Sequence, residues 1–105
     1  MAPKRLSVMV VVLQGCPACD RAKPAIKKCM AKNPDIFMFE YSDDKQKEKA
    51  TKILGTHPPY FPFIIGSSSP KFKDDVKNGT PTKAPIKIFQ GNAADESSLL
   101  QWMGA

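Results

Sequence analysis

The stretch LSVMVVVLQGCPACDRAKPAIKKCMAK, residues 6–32, decides how this chain folds. Leu6 to Leu13 is an almost unbroken apolar run rich in valine, the pattern of a central strand buried on both faces. Gln14 and Gly15 break it. After Cys16, Pro17, Ala18 and Cys19, a helix is expected, because Ala22, Ile26, Cys29 and Met30 recur on one stripe while Asp20, Lys23, Lys27 and Lys28 fall mostly off it. Asn33 and Pro34 end the pattern, and Pro24 is expected to kink it, since proline removes a backbone donor and crowds the preceding turn. A C-x-x-C between a strand and a helix points to thiol chemistry. The orphan N–H groups and positive dipole end of a helix start stabilise a thiolate, and the thiolate is the nucleophile of disulfide exchange.

Working outward, the 105 residues make one domain, 1–105, with a single modest core. No apolar run approaches the length of a bilayer span, so no membrane role is expected. Sixteen Lys and Arg against ten acids leave a net charge of +6, which favours acidic partners through long-range attraction. The lysines at 45, 47, 49, 52, 71, 73, 77 and 83 lack interleaved aromatics, a glycine-rich phosphate cradle or a recognition-helix pattern. They read as a solvated face, and nucleic acid is not the expected partner. Three cysteines, an odd number, argue against a disulfide-stapled secreted scaffold and for the cytoplasm.

Two other readings compete with this one. Lys4 and Arg5, the apolar run and Gln14-Gly15-Cys16 have the outline of a lipoprotein leader, but an apolar core of about eight residues is short for a leader. Zinc would need Cys16, Cys19, Cys29 and His57, yet Cys29 lies about 15 Å down the helix from Cys19 at the ordinary rise. No metal is expected, Cys29 reads as an inert core thiol, and His57, the sole histidine, as a surface residue.

Ile36 to Tyr41 reads as a second strand, close enough to complete a right-handed β-α-β crossover with the first. Asp43 and Gln46 have the spacing of a capping box at the start of a second helix, whose stripe is Ala50, Ile53 and Leu54 and whose stop is Gly55. Thr56 to Pro62 leads rigidly into a short strand, Phe63 to Ile65, and the peptide bond before Pro62 is a candidate for cis. Residues 66–85 are expected to form a long surface loop, or at most a helical turn near Lys73 to Lys77 within one. Ile86 to Phe89 reads as the last strand, Gly91 as a turn, and Asp95 as the cap of a terminal helix with Leu99, Leu100, Trp102 and Met103 on one face.

This order, with Cys16-Pro17-Ala18-Cys19 followed by Asp20-Arg21-Ala22-Lys23, resembles the thioredoxin and glutaredoxin superfamily over nearly the whole chain. The layout is similar to that of compact glutaredoxins, while Pro24 matches the helix proline of thioredoxins, Pro62 the family's cis-proline and Gly91 the glycine after its last strand. The resemblance implies an α/β thioredoxin fold, β-α-β-α-β-β-α, with a four-stranded mixed sheet flanked by helices. It implies a thiol-disulfide oxidoreductase acting on protein disulfides and drawing electrons from a reductase or glutathione, with no bound cofactor; nothing in the sequence demands more than a monomer. Cys16 would be the nucleophile and Cys19 the resolving thiol. Pro17, Ala18, Arg21 and Lys23 would tune the pair, with Asp20 opposing, and Tyr60, Phe61 and Pro62 would bind substrate.

The usual glutathione contacts are largely absent. Leu13 stands where glutaredoxins carry a lysine, Tyr60-Phe61-Pro62 replaces Thr-Val-Pro, and only Gly91, Asn92 and Asp95 loosely match the Gly-Gly-x-Asp-Asp segment. Nor is the buried aspartate of thioredoxins present, its place being taken by Val10. The alternative of another class is a non-catalytic module that keeps the fold as a binding surface.

Overall fold

A computed structural model describes residues 6–104. The elements in chain order are β1 (Ser7–Val12), α1 (Pro17–Lys32), β2 (Ile36–Glu40), α2 (Asp44–Leu54), β3 (Phe63–Ser67), α3 (Pro70–Asn78), β4 (Lys87–Ile88) and α4 (Glu96–Met103). The architecture is α/β, with a mixed four-stranded sheet in the order β2-β1-β3-β4. β1 runs parallel to β2, with Val10 opposite Met38, and antiparallel to β3, with Val10 opposite Ile64.

The apolar first strand is central, as its composition predicts, and every residue from Val8 to Val12 is buried. The pleat sends alternate side chains to opposite faces, so each face carries its own core. Val8, Val10 and Val12 join Ile26 and Cys29 of α1 and Leu99 and Met103 of α4. Met9 and Val11 meet Ala50 and Ile53 of α2 and Phe72 and Val76 of α3. The basic start of the leader-like segment, Lys4 and Arg5, lies outside the described residues, and its apolar part is the strand at the heart of this sheet.

The segment expected as a long loop at 66–85 is instead partly strand and partly helix. β3 continues through Gly66 and Ser67, where it pairs with Val8 and Ser7. Ser69 then caps α3 by accepting from the Lys71 amide, Pro70 occupies the first turn, and Gly79 ends the helix at φ 69°. Proline suits a first turn because its missing N–H has no partner there in any case. Phe72 and Val76, one turn apart, bury the same face against the sheet, and Lys73 reaches Asp35 at 2.6 Å to tie α3 to the start of β2. Only Thr80 to Ile86 remains as a connection, and β4 is shorter than expected, Lys87–Ile88.

The other caps follow the sequence closely. Asp43 accepts from the amides of Lys45 and Gln46 at the head of α2, and Gly55 closes that helix at φ 75°. The Gln46 side chain reaches past the cap to accept from the Glu40 amide at 2.8 Å, so the box is only half formed. Asp95 caps α4 through the Ser97 amide. Among the described residues no helix is long and apolar enough to cross a membrane.

Candidate functional site

Where β1 ends, Gly15 turns the chain at φ 78° and Cys16 becomes the N-cap of α1. This is the position whose side chain faces the orphan amides of the first turn. The Cys16 sulfur accepts from the Cys19 amide at 3.2 Å. Cys16 is half-buried, whereas Cys19, one turn on, is fully buried in the core shared with α4, and its sulfur accepts from the Leu13 amide at 3.4 Å.

These surroundings drive the two thiols apart in acidity. A hydrogen bond from the Cys19 thiol holds the Cys16 pKa below its ordinary value, helped by the Cys19 and Ala18 amides and opposed by burial and the Asp20 carboxylate. Burial raises Cys19 to about 11, and its hydrogen bond to Cys16 pushes the same way. Cys16 is therefore the more acidic thiol of the pair and Cys19 the less acidic.

The expected tuning residues divide. Pro17 starts the helix and Ala18 supplies an amide to the Cys16 sulfur. The Lys23 ammonium pairs with Glu40 at 3.0 Å, and its charge acts on Cys19, where it favours the thiolate. Arg21 lines a groove beside the dithiol. Asp20 acts in the expected sense.

That groove encloses about 680 Å³. One wall is Ala18, Arg21 and Ala22 of α1, the second is Tyr60, Phe61 and Pro62, and the third is the turn from Phe89 to Ala94. The three residues expected to bind substrate are thus gathered at one site, and the Phe61–Pro62 bond is cis. Tyr60 is exposed and stands edge-on to Phe63 at 5.3 Å, while Phe61 is half-buried. Among the described residues the Phe61 N–H and C=O have no hydrogen-bond partner. Gly91 and Asn92, the loose match noted in the sequence, belong to the third wall together with Gln90, which the sequence did not single out.

Tyr41 was also missed. Its ring packs on Phe61 at 5.2 Å, and its hydroxyl meets Thr51 Oγ1 at 3.3 Å and His57 Nδ1, so the end of β2 buttresses the segment that carries Pro62. No motif announces such a role, because an aromatic at a strand end usually belongs to the core. Cys29 is buried in the stripe expected of it, its thiol directed at the Glu96 carbonyl at 3.8 Å and its pKa raised by burial. Among the described residues no three of His, Cys, Asp and Glu gather as metal ligands.

No protein-family model matches the chain, and no curated protein matches it significantly.

Proposed function

We propose that this chain is a thioredoxin-fold thiol-disulfide oxidoreductase that acts on protein disulfides through Cys16 and Cys19. The observation that carries the reading is the asymmetry of the pair: an accessible thiol of lowered pKa at a helix N-cap, one turn from a buried thiol held at about 11. A zinc-binding or purely structural pair has no use for that difference. The strand order and the adjoining groove support the same assignment.

The reaction follows from these positions. The Cys16 thiolate attacks one sulfur of the substrate disulfide along the S–S axis. That bond breaks, a mixed disulfide forms, and the other substrate sulfur leaves as a thiolate. Cys19 then attacks the Cys16 sulfur, and its proton passes to the second substrate sulfur as that sulfur leaves. The Cys16–Cys19 bond closes and the second substrate sulfur departs, so the substrate gains two electrons and the dithiol loses them. Lys23, next to Cys19 in its electrostatic field, favours this deprotonation. A reductase or glutathione would restore the dithiol, and the odd cysteine count keeps the cytoplasm as the assigned compartment.

Cys16→Ser tests the reading. Reduction of a model protein disulfide should be lost in a folded protein, while Cys19→Ser should still attack and accumulate the mixed disulfide. Full activity without Cys16 would refute the assignment.

A further inference from the structure

The groove beside the dithiol is lined by polar and apolar surface in nearly equal measure and carries a single charged side chain. Ala18, Ala22, Phe61, Pro62, Ile64 and Phe89 supply its apolar surface, Gln90 and Asn92 supply amides, and Arg21 supplies the charge. Among the described residues Arg21 has no ion pair; the neighbouring Asp20 engages Lys23 instead, at 3.9 Å. The exposed Arg21 guanidinium lining this groove lacks a counter-charge, and a carboxylate is the partner its planar fork fits best.

The position of Arg21 sets where that carboxylate must lie. Arg21 follows Cys16 by five residues, so the helix carries it about 7.5 Å along the axis from the nucleophile. An extended peptide covers a similar distance in about two residues, at roughly 3.3 Å each. The unpaired N–H and C=O of Phe61 on the opposite wall offer such a peptide backbone hydrogen bonds in the manner of strand addition. Alternate side chains of a strand share a face, so a residue two positions from the attacked cysteine is on the same side as that cysteine.

We infer that the groove selects an extended peptide segment bearing Asp or Glu two residues from the cysteine under attack, with Arg21 as the specificity-determining residue. This rests on the redox reading for the attack itself, but the binding preference can be measured without it. The chemistry uses only the protein's own dithiol: in one turnover the Cys16 thiolate displaces the capping thiol, Cys19 releases the peptide thiol, and the protein disulfide forms.

The test uses nine-residue peptides of Gly, Ala and Ser, each with one cysteine capped as a mixed disulfide with 2-mercaptoethanol. Glu or Gln is placed two residues to either side of the cysteine, or at the remote end. Single-turnover reduction at low salt is followed by acid quench and mass spectrometry. The expected result is a fivefold to tenfold advantage of Glu over Gln at one of the two near positions, in the range of a partly screened ion pair. The ratio should fall below about twofold in Arg21→Gln, recover in part in Arg21→Lys, and shrink in 0.5 M NaCl. An equal advantage for the remote Glu, or a ratio indifferent to Arg21→Gln, would assign the preference to the overall charge of +6 and overturn the inference. Competition by S-hexylglutathione at micromolar concentration would place a free tripeptide in the groove and also overturn it.

If no peptide is reduced at all, the redox reading fails, and a second measurement still decides. Rhodamine-labelled peptides with serine in place of cysteine, titrated by anisotropy, should bind about fivefold tighter with the near Glu than with Gln. A ratio of one would refute the docking assignment on its own.

Discussion

Phe72→Ala is the substitution that asks most of the fold. Phe72 has no exposed surface and sits with Met9, Val11, Ile65 and Val76 in the core between α3 and the sheet. Burying such a ring contributes about 1.5–3 kcal/mol by transfer alone. Truncation also leaves a cavity, because α3 is anchored at both ends by the Ser69 cap and the Gly79 stop and cannot collapse freely. The expected loss is therefore about 3–5 kcal/mol, against a total of about 5–15 kcal/mol for a domain of this size. Urea unfolding followed by far-ultraviolet circular dichroism measures it, with the exposed Lys77→Ala as a control expected to change stability by less than about 0.5 kcal/mol. α3 covers the face opposite α1, so the folded variant should keep the Cys16 alkylation rate of the parent. A loss under about 1 kcal/mol would mean that residues 70–78 do not pack on the sheet.

Three further outcomes follow from the site and its support. Iodoacetamide should modify Cys16 with an inflection below that of an ordinary thiol, and Cys19 should stay protonated and unreactive until the pH approaches 11. For the reduced protein, a depressed thiol pKa contributes stability above the unfolded value and loses it as the pH falls through the folded one. In Cys19→Ala the Cys16 inflection should move up, because the largest stabiliser of its thiolate is gone, and in Asp20→Asn it should move down; the same alkylation profile reads both. Gly66→Ala should destabilise by about 1–3 kcal/mol in urea, since the new Cβ would lie 2.9 Å from the Trp102 ring and 3.2 Å from Leu6.

Most of the framework was legible because its signals are local. The valine run marks a strand buried on both faces, Asp43 and Asp95 are caps, and Gly55 is a stop, each decided by residues within one or two turns of one another. The pair Cys16 and Cys19 and the segment Tyr60 to Pro62 were likewise readable as a site, although what joins them is the topology of β1 and β3.

α3 shows the opposite failure. Ser69-Pro70 at its head, Phe72 and Val76 at helical spacing and Gly79 at its end were all present, but only two apolar residues among polar neighbours are too few to stand out from loop composition. The tertiary surface left open by Met9, Val11 and Ile65 is what makes those two residues a helix face. Charge partners were the least legible. Lys23 finds Glu40 across the β1–β2 crossover, and Arg21 faces the groove, because side-chain direction on α1 depends on elements far along the chain.

The central claim is that Cys16 and Cys19 form a reversible redox couple, and its most direct test is their reduction potential. The protein is equilibrated with glutathione redox buffers, quenched with acid, and its dithiol and disulfide forms are quantified by mass. The expected result is a single two-electron transition that closes the Cys16–Cys19 bond, with a potential of about −200 mV or below, in the range of glutaredoxins and thioredoxin. A value near about −120 mV would instead describe a disulfide-forming oxidant. No Cys16–Cys19 disulfide at any buffer ratio would overturn the redox assignment.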